Sequence, residues 1–364
     1  MVARKKHSKS KPKSGKLRVG ISVGDINGIG LEVIIKTFLD SRMFEICTPV
    51  IYVSHSMARA HRKLLGIQDF SFQVVEDADK ANSKKTNVIE VWKEEVPLEI
   101  GNSTAEGGKY AFLSLDAATR DLAANKLDVL VTAPINKHNI QSEDFPFAGH
   151  TEYLANYANE DHPLMILAHD NLRMGTVTGH VALKDVAGLI TKELIVKKLE
   201  IFNKSLIQDF GLTRPNIAVL GLNPHSGDNG TIGKEEQEII IPAIEEAFSK
   251  GIRAFGPFPS DGFMGSPNYK KYDGILSMYH DQGLTPFKVL SFDQGVNFTA
   301  GLPIVRTSPD HGTGYDIAGK NVASEQSFRN AVYLALEVFR NRKDYRKLSE
   351  NPLKKAKIRD NRGD

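Results

Sequence analysis

Cysteine is almost absent from this sequence. Its 364 residues include one, Cys47. A single thiol excludes an intrachain disulfide framework and any zinc cluster built from cysteines, so the cytoplasm is the expected compartment. We expect Cys47 itself to be a small core residue.

The sequence also lacks a strong excess of either charge. Its formal net charge is +3, and residues 1–16 alone contain seven lysines or arginines and no acid. The remainder is close to neutral, which argues against a nucleic-acid partner bound by a basic face of the fold. Residues 1–16 have no signal-peptide core, and they are predicted to be a disordered basic tail.

Long hydrophobic runs are missing as well. No apolar stretch approaches the ~20 residues that a membrane-spanning helix needs, so no membrane partner is expected. The apolar fraction of 41% and the charged fraction of 25% are those of an ordinary globular protein.

What the sequence does contain is an alternation of β-branched apolar runs with amphipathic segments. Buried strands are predicted at 17–23, 49–54, 86–91, 127–133, 164–168, 174–178, 216–222 and 272–278. Helices are predicted at 31–40, 56–66, 109–126, 193–210, 235–251 and from 325 to 340, with Pro242 marking a kink or a helix start. The alternation indicates an α/β protein with a largely parallel sheet.

A glycine-rich turn follows the first predicted strand, in GDINGIGLEVI at 24–34. A strand, a glycine turn and a helix start present backbone N–H groups to an anion, as in dinucleotide-binding proteins. The spacing does not match that fingerprint, because Val33 stands where glycine or alanine is required. The turn is therefore either a tight connection or a place from which Asp25 and Asn27 face a cleft.

Three of the eleven histidines end apolar strands in small-residue contexts: His180, His225 and His280. For any one of them a neutral structural histidine is the more common outcome. Three in the same context favour a shared centre, and a three-histidine site with an open position suits a catalytic divalent metal. Zinc is the first choice, with magnesium, manganese, cobalt or nickel as alternatives. Since HExxH and CxxC are absent, these ligands would have to converge through tertiary or quaternary structure.

The segment from 278 to 319 carries the densest set of chemically costly residues. His280, Lys288, Asn297, Arg306 and His311 alternate there with apolar runs such as GILSM and GLPIV, which suggest buried strands. A solvated loop explains that alternation poorly. Polar residues at the ends of buried strands are where ligands bind in open α/β sheets.

Eight motifs resemble the 4-hydroxythreonine-4-phosphate dehydrogenase family of pyridoxal phosphate biosynthesis, and the resemblance extends from residue 17 to 340. They are GDINGIGLE (24–32), VTAPINK (131–137), AGHTEYLA (148–155), TGHVAL (178–183), LNPHSGDNGTIGKEE (222–236), GPFPSDGFM (256–264), MYHDQGLTPFK (278–288) and VNFTAGLPIVRTSPDHGTGYDIAG (296–319). The resemblance implies an isocitrate and isopropylmalate dehydrogenase-like fold, with two α/β lobes sharing one sheet and the active site between them.

The resemblance also implies a domain plan. Residues 17–140 with 295–345 would form a cofactor-side lobe, and 141–294 a metal and dimer-side lobe. Residues 346–364 would be a polar C-terminal tail. The family's active form is a homodimer whose metal site is shared, so His280 could serve the neighbouring subunit.

Carried over by position, the resemblance assigns site residues. The metal ligands would be His180, His225 and His280. The substrate would contact His150, Thr151, Lys288, Asn297 and Arg306. The adenosine loop of the wider group resembles HGTGYDIAGKN at 311–321, so NAD would contact His311, Gly312, Thr313, Asp316 and Ile317.

Residue chemistry agrees with the implied activity, an NAD-dependent oxidation of 4-phosphooxy-L-threonine to a 2-amino-3-oxo acid that loses carbon dioxide to give 3-amino-2-oxopropyl phosphate. A Lewis acid lowers the pKa of the alcohol, and NAD takes the hydride. Arg306 offers a planar fork for the phosphate, and Lys288, also a catalytic candidate, offers a point charge. Asp281 and Asp261 are candidates for the base, although either could instead orient a metal-bound histidine.

Some positions depart from the family pattern, and other functions remain open. Ile26 and Leu31 replace prolines, and Gly179 and Ala182 flank His180 where threonine and proline are common.

Related enzymes oxidise threonate or erythronate 4-phosphate, and the residues do not separate these substrates. A phosphotransacetylase-like acyl transferase would need no metal, and a metabolite-binding protein would show no turnover.

Overall fold

A computed structural model of the chain describes residues 15–351. The predicted basic tail therefore lies outside the described residues up to position 14, and the predicted polar tail does so from position 352. Lys16, assigned to the basic tail, donates a hydrogen bond to the Phe44 carbonyl at 2.6 Å. Within the described range the chain is an α/β protein with a large, mostly parallel sheet, as predicted.

Twelve strands of the described residues form one sheet. In chain order they are β1 (Leu17–Ser22), β2 (Cys47–Tyr52), β3 (Phe72–Val74), β4 (Thr86–Ile89), β5 (Val129–Thr132), β6 (Leu164–His169), β7 (Leu172–Thr176), β8 (Asn216–Leu220), β9 (Arg253–Phe258), β10 (Gly274–Ser277), β11 (Val296–Ala300) and β12 (Arg306–Pro309). Across the sheet their order is β3-β4-β2-β1-β5-β12-β11-β6-β7-β10-β8-β9.

Strands of the two predicted lobes occupy separate halves of this sheet. β1–β5, β11 and β12 lie on one side, and β6–β10 lie on the other. Pairing is parallel within each outer part, whereas β12 with β11, β11 with β6, and β6 with β7 are antiparallel. The outer parts therefore run in opposite directions. The exact lobe boundaries at 140 and 294 stay predictions.

The central strands are buried along their whole length. β2, β5 and β10 have no partly exposed residue. Helices cover both faces of such strands in parallel sheets, which is why these segments read as continuous apolar runs and not as alternating ones. That burial made them the most predictable elements of the chain.

Eleven helices of the described residues pack around the sheet. They are α1 (Gly30–Leu39), α2 (Met43–Ile46), α3 (His55–Leu64), α4 (Ala105–Ala123), α5 (His150–Ala158), α6 (Leu183–Leu189), α7 (Lys192–Gln208), α8 (Ile241–Ser249), α9 (Ser260–Met264), α10 (His280–Ser291) and α11 (Gln326–Glu350). Ser54, Thr104 and Thr191 cap α3, α4 and α7 by accepting backbone N–H groups. α11 extends five residues into the segment predicted as a polar tail.

Most predicted elements are confirmed within a few residues. All eight predicted strands exist, and Pro242 lies in the first turn of α8. The sequence reading missed β3, β9, β11 and β12. β3 has only three residues, β9 is partly exposed, and β11 and β12 carry polar residues that are buried by tertiary contacts.

Two predictions in the polar segment were wrong. GLPIV at 301–305 is the turn between β11 and β12 and not a strand, because Gly301 adopts a φ of +88°. Residues 280–291, where no helix was predicted, form α10 despite Pro286 inside the helix. Leu284 and Phe287 bury the inner face of α10, and tertiary packing of that face outweighs the helix-breaking propensity of proline.

Cys47 is a core residue, as predicted. Its thiol is buried at the start of β2, and burial raises the pKa of the thiol to about 12. The thiolate is therefore scarce at neutral pH. Among residues 15–351, no helix combines the length and apolarity needed to cross a bilayer.

His61 is buried on α3, although charged residues surround it in the sequence. Its Nε2 lies 2.8 Å from the Ile26 carbonyl, and burial lowers the pKa of the imidazole to about 4. Because the unfolded chain binds this proton near pH 6.5, the unfolded state binds more protons between the two values. Stability from this residue is therefore present above pH 6.5 and lost as the pH falls toward 4.

We expect His61→Gln to flatten the pH dependence of stability. The free energy of unfolding from urea titrations should fall by about 3 kcal/mol less between pH 7 and pH 4.5 in this variant than in the wild type. Glutamine can still donate to the Ile26 carbonyl. The exposed His162→Gln is the matched control, and it should keep the wild-type slope. Equal slopes in all three proteins would contradict the assignment.

Candidate active site

Arg306 is the most deeply buried cation of the predicted site. It begins β12 and is 2% exposed. Its Nε and Nη2 donate to Thr132 Oγ1 at 3.1 and 2.7 Å, and Nη1 donates to Thr299 Oγ1 at 3.2 Å. Burial lowers the pKa of the guanidinium to about 10, so it stays charged at neutral pH. No carboxylate of residues 15–351 forms a direct ion pair with it, and the charge of Glu152 opposes the effect of burial only in part. A buried cation without a direct ion pair favours an anionic ligand.

His150 and Thr151 open α5, close to this cation. The His150 Nε2 is buried and has no hydrogen-bond partner. Burial, followed by the charges of Arg306 and Lys137, holds the pKa of His150 well below its usual range. The ring is therefore neutral at pH 7, and its free nitrogen and the positive end of the α5 dipole add to a site for an anion.

A lysine and a glutamate that the sequence reading did not assign contact His180. Lys137 Nζ lies 2.9 Å from His180 Nε2, and Glu152 Oε1 lies 3.8 Å from His180 Nδ1. The hydrogen bond with His180, and more weakly the charge of Lys137, lower the pKa of Glu152. Glu152 Oε2 is buried without a partner. These contacts connect His180 to the region of Arg306.

His180 and His280 come together in one chain. Their ring centroids are 5.7 Å apart. His280 begins α10, and its Nδ1 lies 2.6 Å from Asp281 Oδ1. Asp281 therefore fits an orienting role, since a carboxylate on Nδ1 leaves Nε2 free as a ligand. Asp261 is exposed on α9.

His225 lies apart from that pair, in a turn of left-handed backbone after β8. Within residues 15–351, no three side chains of histidine, cysteine, aspartate or glutamate are close enough to hold a metal ion. The donor chemistry fits a divalent metal, because two imidazoles face each other and one is oriented by a carboxylate. A single chain therefore brings together two of the three predicted histidine ligands. His180 and His280 lie close together within one chain, and the sharing of the metal site between two subunits stays a prediction.

Lys288, Asp310 and His311 form the other end of the site. Lys288 Nζ lies 3.2 Å from the Asp310 carbonyl and 3.4 Å from Asp310 Oδ1. Burial raises the pKa of Asp310, while the charges of Lys288, His311 and His280 oppose that rise. Burial lowers the pKa of His311, whose Nδ1 lies 3.0 Å from the Gly312 carbonyl. His311 Nε2 and Asn297 Oδ1 are buried without partners.

The glycine turn after β1 packs against the predicted cofactor loop. The Ile29 N–H donates to the Thr313 carbonyl at 2.9 Å. A Cβ atom at Gly28 would lie 2.6 Å from that same oxygen, so a side chain cannot be accommodated. Gly312 and Asp316 are exposed in this loop, and Ile317 packs against the core. The turn therefore supports the loop, which accounts for its non-standard spacing.

Asp25 is a structural hub and does not face a cleft. It is buried at the end of β1, where its Oδ1 accepts the Asn27 N–H at 2.9 Å. Its Oδ2 accepts Tyr315 Oη–H at 2.7 Å and Asn139 Nδ2–H at 2.8 Å. Three segments distant in sequence are thereby joined: the turn after β1, the loop after β5 and the loop at 311–321.

Sequence reasoning missed Lys137, Glu152, Asp310, Thr132 and Thr299 as parts of this site. Lys137 and Glu152 belong to the motifs VTAPINK and AGHTEYLA, so the signal was available. The two threonines carry no such signal, because a buried threonine in a strand usually only packs. Their role as acceptors for Arg306 depends on the pairing of β12 with β5 and β11.

Comparison with known proteins agrees with the motifs. The family model described as "Pyridoxal phosphate biosynthetic protein PdxA" matches residues 45–335. A 4-hydroxythreonine-4-phosphate dehydrogenase from Bacteroides thetaiotaomicron is 53% identical over 341 residues, covering 93% of each chain. A relative from Oceanobacillus iheyensis, whose name proposes a D-threonate 4-phosphate dehydrogenase, is 36% identical over 88% of this chain and 97% of its own.

A solved structure is also similar. The crystal structure of a 4-hydroxythreonine-4-phosphate dehydrogenase from Klebsiella pneumoniae matches with a TM-score of 0.77 at 31% sequence identity. The match covers 89% of this chain and 98% of that one.

Proposed function

This chain belongs to the family of the pyridoxal phosphate biosynthetic protein PdxA, and from that premise we propose that it oxidises 4-phosphooxy-L-threonine with NAD. The secondary alcohol becomes a ketone as hydride passes to the nicotinamide. The resulting 2-amino-3-oxo acid loses carbon dioxide and gives 3-amino-2-oxopropyl phosphate. A divalent metal, zinc in first place, is the second cofactor of the proposal, and the cytoplasm is the proposed compartment.

The observation that carries the proposal is the buried and unpaired charge of Arg306. Removing a guanidinium from water is costly unless an anion compensates it. No carboxylate of residues 15–351 pairs directly with the guanidinium, the charge of Glu152 acts on it only from farther away, and a substrate phosphate would pair with it. The guanidinium fork matches two phosphate oxygens, whereas Thr132 and Thr299 fix its orientation from behind.

Further free polar atoms support a polar substrate in the same place. His150 Nε2, Asn297 Oδ1 and Glu152 Oε2 are buried and have no partner among the described residues. Groups of this kind destabilise a protein unless a ligand or water satisfies them. Thr151, beside His150, and Lys288, held at Asp310, complete the proposed contacts with the substrate.

We assign the metal to His180, His225 and His280. When bound, the ion would polarise the substrate hydroxyl and lower its pKa. Asp281 orients His280. Glu152 lies near Nδ1 of His180, whereas Lys137 lies near Nε2. Because Lys137 lies on His180 Nε2, a metal can use that nitrogen only if Lys137 moves away. Asp281, Asp261 and Lys288 are the proposed proton-transfer candidates, and the orienting contact of Asp281 makes it the least free of the three.

The NAD site is assigned to the loop at 311–321, with His311, Gly312, Thr313, Asp316 and Ile317 as contacts. Two contacts support a loop of fixed shape. Tyr315 is hydrogen-bonded to the buried Asp25, and the Thr313 carbonyl accepts the Ile29 N–H. A preformed loop lowers the entropy that is lost when a cofactor binds.

A homodimer is part of the proposal, and an exposed apolar surface supports it. Val289 and Phe292, at the end of α10, are 77% and 80% exposed. Val181 and Leu183 are also exposed, directly after His180. Large exposed apolar side chains mark association surfaces, and Val181 and Leu183 adjoin His180 in the sequence, while Val289 and Phe292 lie on the helix that His280 begins. We propose that a second chain at this surface supplies the third imidazole.

Threonate 4-phosphate is the second candidate substrate, because the relative from Oceanobacillus iheyensis carries a name of that kind. It has a hydroxyl where 4-phosphooxy-L-threonine has an ammonium group. Both substrates share the phosphate and the secondary alcohol. The same site chemistry therefore serves either one.

The proposed function is tested by following NADH with purified wild-type protein and three substrates: 4-phosphooxy-L-threonine, threonate 4-phosphate and erythronate 4-phosphate. We expect kcat/KM to be highest for 4-phosphooxy-L-threonine and the activity to disappear after metal chelation and return with zinc. A higher kcat/KM for threonate 4-phosphate would assign the second candidate. NADH formation that survives chelation would remove the metal from the proposal.

Replacing Arg306 should affect the substrate much more than NAD. In Arg306→Ala we expect kcat/KM for the phosphorylated substrate to fall about 100-fold or more, since two charge-assisted hydrogen bonds are lost. The KM for NAD should change little. Arg306→Lys keeps the charge and loses the fork, so it should recover part of the loss. Equal changes in both KM values would contradict the phosphate assignment.

Charging the exposed apolar surface should separate the proposed dimer. We expect the wild type to sediment at about twice the chain mass of 40.2 kDa and Phe292→Asp to sediment as a monomer. Phe248→Asp is the matched control, because Phe248 is also exposed but lies on α8. A wild-type monomer, or a dimer in both variants, would contradict the proposed surface.

A further inference from the structure

The turn that carries His225 has a backbone that L-amino acids rarely adopt. Five consecutive residues, 225–229, have positive φ values between 42° and 78°. Gly227 is the one glycine among them, and His225 itself has a φ of 55°. In this region the Cβ atom crowds the backbone, so consecutive non-glycine residues stay there only when surrounding contacts hold them.

Glu236 provides such contacts from a buried position. It is 2% exposed. Its Oε1 accepts the Leu222 and Asn223 N–H groups, both at 2.7 Å, and its Oε2 accepts Asn223 Nδ2–H at 2.9 Å. These three donors lie immediately before His225. No lysine, arginine or histidine of residues 15–351 is within 4 Å of this carboxylate, so amides alone compensate its charge.

The same carboxylate also touches the far side of the turn. A Cβ atom at Gly227 would lie 2.6 Å from Glu236 Oε2, and one at Gly221 would lie 3.1 Å from Oε1. The backbone thus wraps around the carboxylate before and after His225. Glu236 begins a π-helical turn that precedes α8, and wide turns of this type re-aim side chains at functional sites.

We propose that Glu236 is a positioning residue that sets the left-handed turn and thereby presents the His225 imidazole to the metal. The inference rests on the proposed function for the role of His225 as a ligand, and goes beyond it in assigning Glu236. Glu236 does not touch the metal itself. It acts by holding the backbone on both sides of the ligand, which lowers the cost of ordering His225 when the ion binds.

The test measures zinc affinity of the metal-free protein by competition with a chromophoric chelator. We compare wild type, Glu236→Gln, His225→Ala and the double variant. Glu236→Gln should weaken zinc binding about 10-fold or more, with little change in NAD affinity. The double variant should bind zinc no more weakly than His225→Ala alone, because a residue that acts through His225 has no effect once His225 is absent.

Glu235→Gln is the matched control. Glu235 Oε2 also accepts Asn223 Nδ2–H, at 2.7 Å, but makes none of the backbone contacts of Glu236. It should weaken zinc binding less than Glu236→Gln does. If Glu236→Gln fails to fold, Asn223→Ala removes the donor to Oε2 and should shift zinc affinity in the same direction.

The outcomes separate the two levels of the proposal. If His225→Ala leaves zinc affinity unchanged, the metal role in the proposed function fails. If His225→Ala weakens zinc binding but Glu236→Gln behaves like Glu235→Gln, the positioning role of Glu236 is wrong. Additive losses in the double variant would also overturn it, since they would show a general effect on the fold.

Discussion

A buried cation that pairs directly with no carboxylate of residues 15–351 organises this site. Arg306 begins β12, between β5 and β11, and its three hydrogen bonds go to threonine hydroxyls of these two strands. Neutral acceptors orient the guanidinium but do not cancel its charge. Around it, a neutral His150 and other partnerless polar atoms leave binding capacity for a ligand. The fold bears this electrostatic cost, and an anionic substrate would offset it.

Two groups of loops that carry assigned site residues are held by buried carboxylates bound to neutral donors. Asp25 joins the turn after β1 to the loops that contain Asn139 and Tyr315. Glu236 plays the corresponding part for the His225 turn. A carboxylate has two oxygens, and each can accept more than one hydrogen bond. One buried carboxylate can therefore connect segments that belong to different secondary-structure elements. No local sequence pattern predicts that Asp25 or Glu236 connects distant segments.

Different parts of the site were predictable to different degrees. The pairing of His180 with His280 agrees with the shared context of these histidines after buried strands. His225 has the same context, but it lies in a turn of left-handed backbone after β8 and completes no group of three ligands within residues 15–351. Lys137 and Glu152 lie within the family motifs VTAPINK and AGHTEYLA but were not predicted as site residues, since a lysine or glutamate on a surface loop or helix is usually solvated. Their contacts with His180 depend on the approach of the loop after β5 to α5.

The sequence by itself determined the α/β class, eight buried strands and the family, because continuous apolar runs and long motifs are local properties. Only the tertiary structure decided that residues 280–291 are helical and that GLPIV is a turn, since packing of Phe287 outweighs the local preference of Pro286. It also decided which polar groups are left without partners. The burial of Arg306 arises from contacts between segments that are distant in sequence, and no local pattern of residues encodes it. This burial makes the charge of Arg306 a driving force for ligand binding.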